Sequence, residues 1–300
     1  IWIIGDGMGP DAMGFFMQGV RYGGLKDYPD KVSHLEQFLQ NAQWGLFFNN
    51  TYDTVVTDSA AAGTQMATGR LSRPESVGVD YNGQPAENLL ELARKQGKAL
   101  GVISDAYVTD ATPAAFLAHV PNRSEKMEIA RQIVAFEPDV LLGGGLKYFS
   151  TGENKKLLSE AKKKGYRVVK NKKELAAVKS GRVLGLFSDT SMPMAVEMHR
   201  YPKLPTLTEQ TQKAVELLSQ NEDGFVLVVE AGKIDWAAHA HDAGAWFYEM
   251  KELDNLLQYV QAFADKNGET LVYLNADHDT GLGAFAYRHV GKQKAMQKTA

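Results

Sequence analysis

No cysteine occurs among the 300 residues of the sequence. That excludes disulfides, thiolate nucleophiles and cysteine-based metal sites together, and it leaves the compartment open. The sequence also lacks an apolar run long enough to span a bilayer. Charge of one sign is scarce as well: 33 basic against 36 acidic residues leave a formal net charge of −3. Neither nucleic acid nor an anionic membrane surface is favoured as a partner by that balance. No initiator methionine and no signal peptide precede Ile1-Trp2-Ile3-Ile4, which already reads as strand. The chain is therefore expected to be trimmed at its start, with any export signal lost. No internal repeat and no low-complexity linker interrupts it, and its length suffices for one sizeable core.

What is present alternates. Short β-branched runs at residues 1–4, 99–103, 225–229 and 270–274 end abruptly in polar residues. Between them, residues 86–96, 124–136, 206–219 and 243–265 carry helical spacing. This predicts an α/β fold: three layers, with a mostly parallel central sheet and helices on both faces. Residues 1–300 are expected to form one catalytic domain, and the lysine-dense residues 147–203 read as an insertion covering one edge. Those lysines have Glu153, Glu160 and Glu174 as acidic partners, as on a solvated helix face, which is favoured over a nucleic-acid surface.

The ends of the strands carry the chemistry. In an open parallel sheet, ligands bind beyond the carboxyl ends of the strands. Asp6 follows the first run, Glu230 closes the third, and Asp277-His278 follow the fourth. In "IIGDGMG" an aspartate stands between glycines, which suits a metal and would repel a phosphate; alone, the stretch also fits a surface turn. Asp235 and His239 lie four apart, hence on one helix face, and suit zinc. The same pair fits a solvated helix surface. Thr112 offers a hydroxyl suited to magnesium, and Arg123 a bidentate partner for phosphate or an ordinary surface arginine.

"VVTDSAAAGTQMATG" places Ser59 at the start of a helix, after a strand expected at residues 54–57, with Thr57 or Asp58 as N-cap. A serine hydroxyl needs a base or a metal to become a nucleophile. Ala60, Ala61, Ala62 and Gly63 leave room for metals and a tetrahedral anion at a helix N-terminus.

Together "IGDGMG", "TDSAAAGT" with "ATG", "DATPAA" with "AHV" and Arg123, "PDVLLGGG", "VE" with "IDWAAH", and "ADHDTG" resemble the alkaline phosphatase family in order and spacing. The resemblance implies a three-metal phosphomonoesterase working through a phosphoserine. Ser59 matches the nucleophile, and Asp6, Asp277 and His278 match the ligands of the zinc that activates it. Asp235 and His239 match two ligands of a second zinc; Asp6, Thr112 and Glu230 match the magnesium site. Arg123 matches the phosphate clamp, steadied by Asp58. Asp110 lies near the magnesium. Trp236 stands where relatives carry Lys, His or Trp; it brings no positive charge and either packs against substrate or fills space.

The resemblance also implies a homodimer, phosphate monoester substrates and a periplasmic or secreted location. The family takes a further histidine for its second zinc well downstream of the Asp-His pair. His289, the only histidine after His278, is too close and in the wrong setting. Either the C-terminal part of the fold lies outside this chain, or its second zinc site is one ligand short. A non-catalytic or truncated metal- or phosphate-binding member, or a phosphodiesterase, are the competing expectations.

Overall fold

The structure, a computed structural model, describes residues 1–281; His289 lies outside the described residues. The elements run β1 (Trp2–Gly5), α1 (Pro10–Tyr22), α2 (His34–Asn41), α3 (Ser59–Thr68), α4 (Leu89–Lys95), β2 (Ala99–Tyr107), α5 (Ala111–Ala115), α6 (Lys126–Phe136) and β3 (Val140–Gly144). There follow α7 (Leu146–Ser150), α8 (Leu157–Lys163), β4 (Arg167–Val169), α9 (Lys172–Ala176), β5 (Val183–Ser188) and α10 (Leu207–Leu218). The last are β6 (Phe225–Ala231), α11 (Lys233–His239), α12 (Ala243–Asn267) and β7 (Tyr273–Ala276). Two 3₁₀ turns, Gly152–Asn154 and Ala195–Arg200, complete the set.

Among the described residues all seven strands are parallel, in the order β4-β5-β3-β2-β6-β1-β7. Because successive strand residues face opposite sides, neighbouring positions feed two separate cores. Ile3, Ile103, Leu142, Val183 and Val229 join Phe16, Leu35, Trp246 and Leu253 from α1, α2 and α12 on one side. Ile4, Val102, Leu141, Leu184 and Val228 join Ala60, Leu90, Phe116, Ile129 and Ala161 on the other. The three-layer α/β architecture is thus the one expected, and its strands are near-continuous apolar runs because both faces are covered.

Local signals set the helix ends. Asn88 with Glu91 and Thr206 with Glu209 form capping boxes at α4 and α10, each satisfying two orphan amides. Gly69 and Gly268 end α3 and α12 in the left-handed conformation.

Three expectations are corrected. Residues 54–57 form no strand: the Thr54 amide donates to Thr51 Oγ1 at 3.0 Å and the Thr51 amide to the Thr54 carbonyl at 3.1 Å. The backbone is satisfied within its own loop, and Val55 and Val56 are exposed. The last run pairs as Tyr273–Ala276 rather than 270–274, since its register follows β1. The helix expected from residue 86 starts only after the Asn88 cap. Residues 147–203 supply β5, an interior strand, and β4, which is itself one edge of the sheet. No helix among the described residues is long and apolar enough to cross a membrane.

Candidate active site

The register of the three strands at one side of the sheet gathers the site. Ile4 pairs with Glu230 of β6 and with Asn275 of β7, so Asp6, Glu230 and Asp277 all emerge at the same carboxyl edge. The Asp6 amide donates to the Ala231 carbonyl at 3.3 Å, which ties the turn after β1 to the end of β6. Asp277 Oδ1 accepts from the Gly7 amide at 3.0 Å and from the His278 amide at 2.9 Å. Each loop therefore holds its neighbour's ligand in place.

Gly7 is needed at that crossing. Its φ is +67°, and a Cβ there would meet Thr280 Oγ1 at 2.1 Å and the Asp235 Cα at 3.1 Å. Gly7→Ala is expected to cost about 2–4 kcal/mol, from left-handed strain plus overpacking. Urea unfolding measures it, and an unchanged midpoint would refute the close packing of these loops.

Ser59, the first residue of α3, is buried to 6 % relative exposure. Its Oγ stands 3.1 Å from His278 Nε2 and 3.5 Å from Asp6 Oδ1. Asp58 caps α3, accepting from the Ala60 amide at 3.1 Å and the Ala61 amide at 3.3 Å. The anion-binding amides expected at this N-terminus are thus partly engaged by Asp58. Beside this N-terminus stands Arg123, whose guanidinium reaches Asp58 Oδ2 at 3.4 Å and Asp110 Oδ1 at 3.3 Å.

One ligand atom from each of Asp6, Asp235 and His278 lies within 4.8 Å of the others, although the three belong to separate chain segments. Asp235 Oδ1 also accepts from the Thr280 hydroxyl. His239, one turn on along α11, brings Nε2 to 3.4 Å from Asp235 Oδ1, with its side chain 71 % exposed. Behind this group, Glu230 accepts from the Ser104 hydroxyl. The buried Thr112 hydroxyl lies beside Glu230 without a well-formed hydrogen bond. The half-buried ring of Trp236, the residue after Asp235, contacts Tyr107 and Lys233.

Crowded acidic groups dominate the electrostatics. Burial pushes the Asp6 carboxyl well above its ordinary range, and Asp277, Asp235, Glu230 and Asp110 push it further. Glu230 is raised by burial and by Asp110, against the hydrogen bond from Ser104. Asp277 is raised by burial, partly offset by His278, and its buried Oδ2 has no hydrogen-bond partner. Asp110 goes the other way. Burial alone would raise it, but Lys126, at 2.7 Å, and Arg123 hold it below the usual carboxylate range. Orphaned carboxylate and hydroxyl oxygens beside crowded anions fit divalent cations, which would satisfy both at once.

Sequence reasoning missed Ser104 and Lys126, which hold Glu230 and Asp110. Ser104 sits inside a strand and Lys126 in the first turn of α6, so only contact reveals them. It also missed Asp105, whose buried carboxylate accepts from the Gly232 amide at 2.7 Å and the Lys233 amide at 3.2 Å. That pair of bonds ties the end of β2 to the start of α11. His119 and His199 lie outside the cluster and bond backbone carbonyls at Gly78 and Val196.

A parallel α/β sheet with a buried serine beside carboxylates and an imidazole that could hold a metal ion at its carboxyl edge defines an α/β protein with a candidate metal site and a candidate nucleophile. The chain belongs to the alkaline phosphatase family, whose model matches residues 1–300. It is 36 % identical to alkaline phosphatase 4 of Bacillus subtilis over 94 % of its own length. The chain spans about 61 % of that relative. Among solved structures it superimposes on Thermus thermophilus alkaline phosphatase with a TM-score of 0.86 at 32 % identity, covering 93 % of this chain and 59 % of that one. A variant of the alkaline phosphatase of the Antarctic bacterium TAB5, described with Mg bound in its M3 site, matches with a TM-score of 0.80 at 28 % identity. That match covers 93 % of this chain and 77 % of the other.

Proposed function

We propose that this chain hydrolyses phosphate monoesters to an alcohol and inorganic phosphate through a covalent phosphoserine on Ser59. The observation that carries the reading is the position of Ser59 Oγ, buried and within 3.5 Å of both Asp6 and His278, with Arg123 tethered alongside. In the first step Ser59 Oγ gives up its proton and bonds to phosphorus while the bond from phosphorus to the ester oxygen breaks, and the alcohol leaves carrying a proton. In the second, water takes the phosphoryl group and frees the serine. Arg123 holds two phosphate oxygens in its planar fork, and Asp58 and Asp110 fix its orientation from behind.

Asp6, Asp277 and His278 would hold one zinc, Asp235 and His239 a second, and Asp6, Thr112 and Glu230 a magnesium. Bound there, the cations supply Lewis-acid stabilisation to the attacking and leaving oxygens and lower the pKa of coordinated oxygen acids. Asp105 fixes the start of α11, on which Asp235 stands, through the Gly232 and Lys233 amides, and Ser104 holds Glu230. A homodimer and a periplasmic or secreted location are proposed on family membership.

Hydrolysis of p-nitrophenyl phosphate at alkaline pH with zinc and magnesium tests the reading. Arg123→Ala is expected to raise the inhibition constant for inorganic phosphate about 10- to 100-fold, the loss of charge-assisted hydrogen bonds to an anion. Turnover of diesters without monoesters, or phosphate inhibition unchanged in Arg123→Ala, would refute it.

A further inference from the structure

Three aromatic rings at the rim of the site remain unused by the chemistry above. Tyr107 ends β2, Tyr148 lies in α7, and Trp236 lies in α11. The Tyr107 ring stands 5.6 Å from Trp236, tilted at 53°, and 5.6 Å from Tyr148, edge-on at 77°. All three are half-buried, whereas the aromatics that fill the cores, Phe16, Phe116, Phe149 and Trp246, are fully buried. Each of the three therefore leaves part of its ring uncovered, although Tyr148 also packs on the second core.

Two cations sit on these rings. Lys233, buried at 3 % exposure, places its ammonium 4.4 Å from the centre of the Trp236 ring. The Lys147 ammonium lies 4.9 Å over Tyr148 and 5.6 Å from Tyr107, and among the described residues it makes no ion pair. The rings are also fixed to the chemistry. Trp236 directly follows Asp235, and the Tyr107 carbonyl accepts from the Asp110 amide at 2.8 Å. The same turns that set two site carboxylates therefore set the wall.

Resting on the proposed phosphomonoesterase reading, we propose that Tyr107, Tyr148 and Trp236 form a leaving-group subsite that prefers a planar aromatic ring on the substrate alcohol. Offset or edge-on ring contacts strengthen binding about 3- to 10-fold per pair, and the Lys147 ammonium over Tyr148 adds positive charge on that side of the wall. Simple alkyl leaving groups make none of these contacts.

The test compares kcat/KM for phenyl phosphate, a nucleoside 5′-monophosphate and glycerol 2-phosphate. Tyr107→Ala is expected to lower the aromatic-to-glycerol ratio about 3- to 10-fold, and Tyr107→Phe to restore it. Tyr148→Ala gives the same readout should Tyr107→Ala fail to fold. A drop confined to phenyl phosphate supports a wall touching a ring bonded to the ester oxygen; a drop confined to the nucleotide supports one reached across a sugar. Unchanged ratios in both alanine variants overturn the subsite. If the wild-type chain turns over no ester, the phosphomonoesterase reading fails, and calorimetry with phenylphosphonate and methylphosphonate decides the subsite by itself. A preference for the phenyl compound that Tyr107→Ala removes supports it, and equal binding overturns it.

Discussion

Ser59→Ala is expected to lower phosphomonoester turnover by about 10³-fold or more, the largest effect of any single substitution here. The hydroxyl is buried and held within hydrogen-bond reach of His278 Nε2 at 3.1 Å. Ser59→Ala puts hydrogen in place of the hydroxyl, which removes the bond-forming atom and little else, and alanine is a strong helix former at this first residue of α3. Folding should therefore be intact and binding of inorganic phosphate retained, since Arg123 and its two carboxylate tethers are untouched. Two measurements check it: steady-state turnover of p-nitrophenyl phosphate, and acid-quench trapping of a ³²P-labelled chain. Wild type should carry label on Ser59 and the variant none. Turnover persisting in Ser59→Ala would mean direct attack by water on the ester, and the covalent mechanism would be wrong.

Asp6→Asn should produce the second largest effect, and its sign should depend on metal. Asp6 is buried among four other carboxylates, which together with burial hold its pKa far above the usual range. A carboxyl raised in the folded state favours folding only below its ordinary unfolded pKa, near 4; that contribution is lost progressively as pH rises toward the folded value. At pH 8 without metal, Asp6→Asn should therefore melt higher than wild type. With zinc and magnesium present the order should reverse, because cations bound to the folded state alone stabilise it by about 2.7 kcal/mol at a hundredfold excess over Kd. For a chain of this size that is a rise of roughly 5 °C or more. Thermal melts with chelator and with metals measure both halves. Equal metal-induced shifts in wild type and Asp6→Asn would remove Asp6 from the ligand set, and turnover unaffected by the substitution would remove it from the mechanism.

Much of the fold is legible in the residues. β1 and β6 are compact apolar runs, with Asp6 just after the first and Glu230 near the end of the second, and buried parallel strands show such continuous apolar character. β5 escaped because "VLGLFS" is short and glycine-broken and lies within a lysine-rich stretch. Its role as an interior strand rests on pairing with β3 and β4, and sequence carries no direct record of pairing. The expected strand before Ser59 failed for the converse reason. Its threonines and valines have the right propensity, but no neighbour supplies a ladder, and Thr51 closes the loop through its own hydroxyl.

The site divides along the same line. The residue types and their places at strand ends were readable, because each acidic residue interrupts an apolar run at a position a covered sheet would otherwise leave hydrophobic. Ser59 was readable from the small residues that follow it. The sequence by itself therefore determined the layer architecture, the family membership carried by its ordered motifs, and the candidate ligands.

The tertiary structure decided which ligands meet. Asp6, Asp235 and His278 come within 4.8 Å only because β1 lies between β6 and β7, an order that chain position does not encode. It also decided that Arg123 is tethered by Asp58 and Asp110, that Lys126 holds Asp110 below the usual carboxylate range, and that Tyr107 stands beside Trp236. Those relations depend on distances between segments separated by up to 272 positions, His278 and Asp6 among them. Periodicity and local propensity act over one or two turns of chain, while coordination and charge act through space.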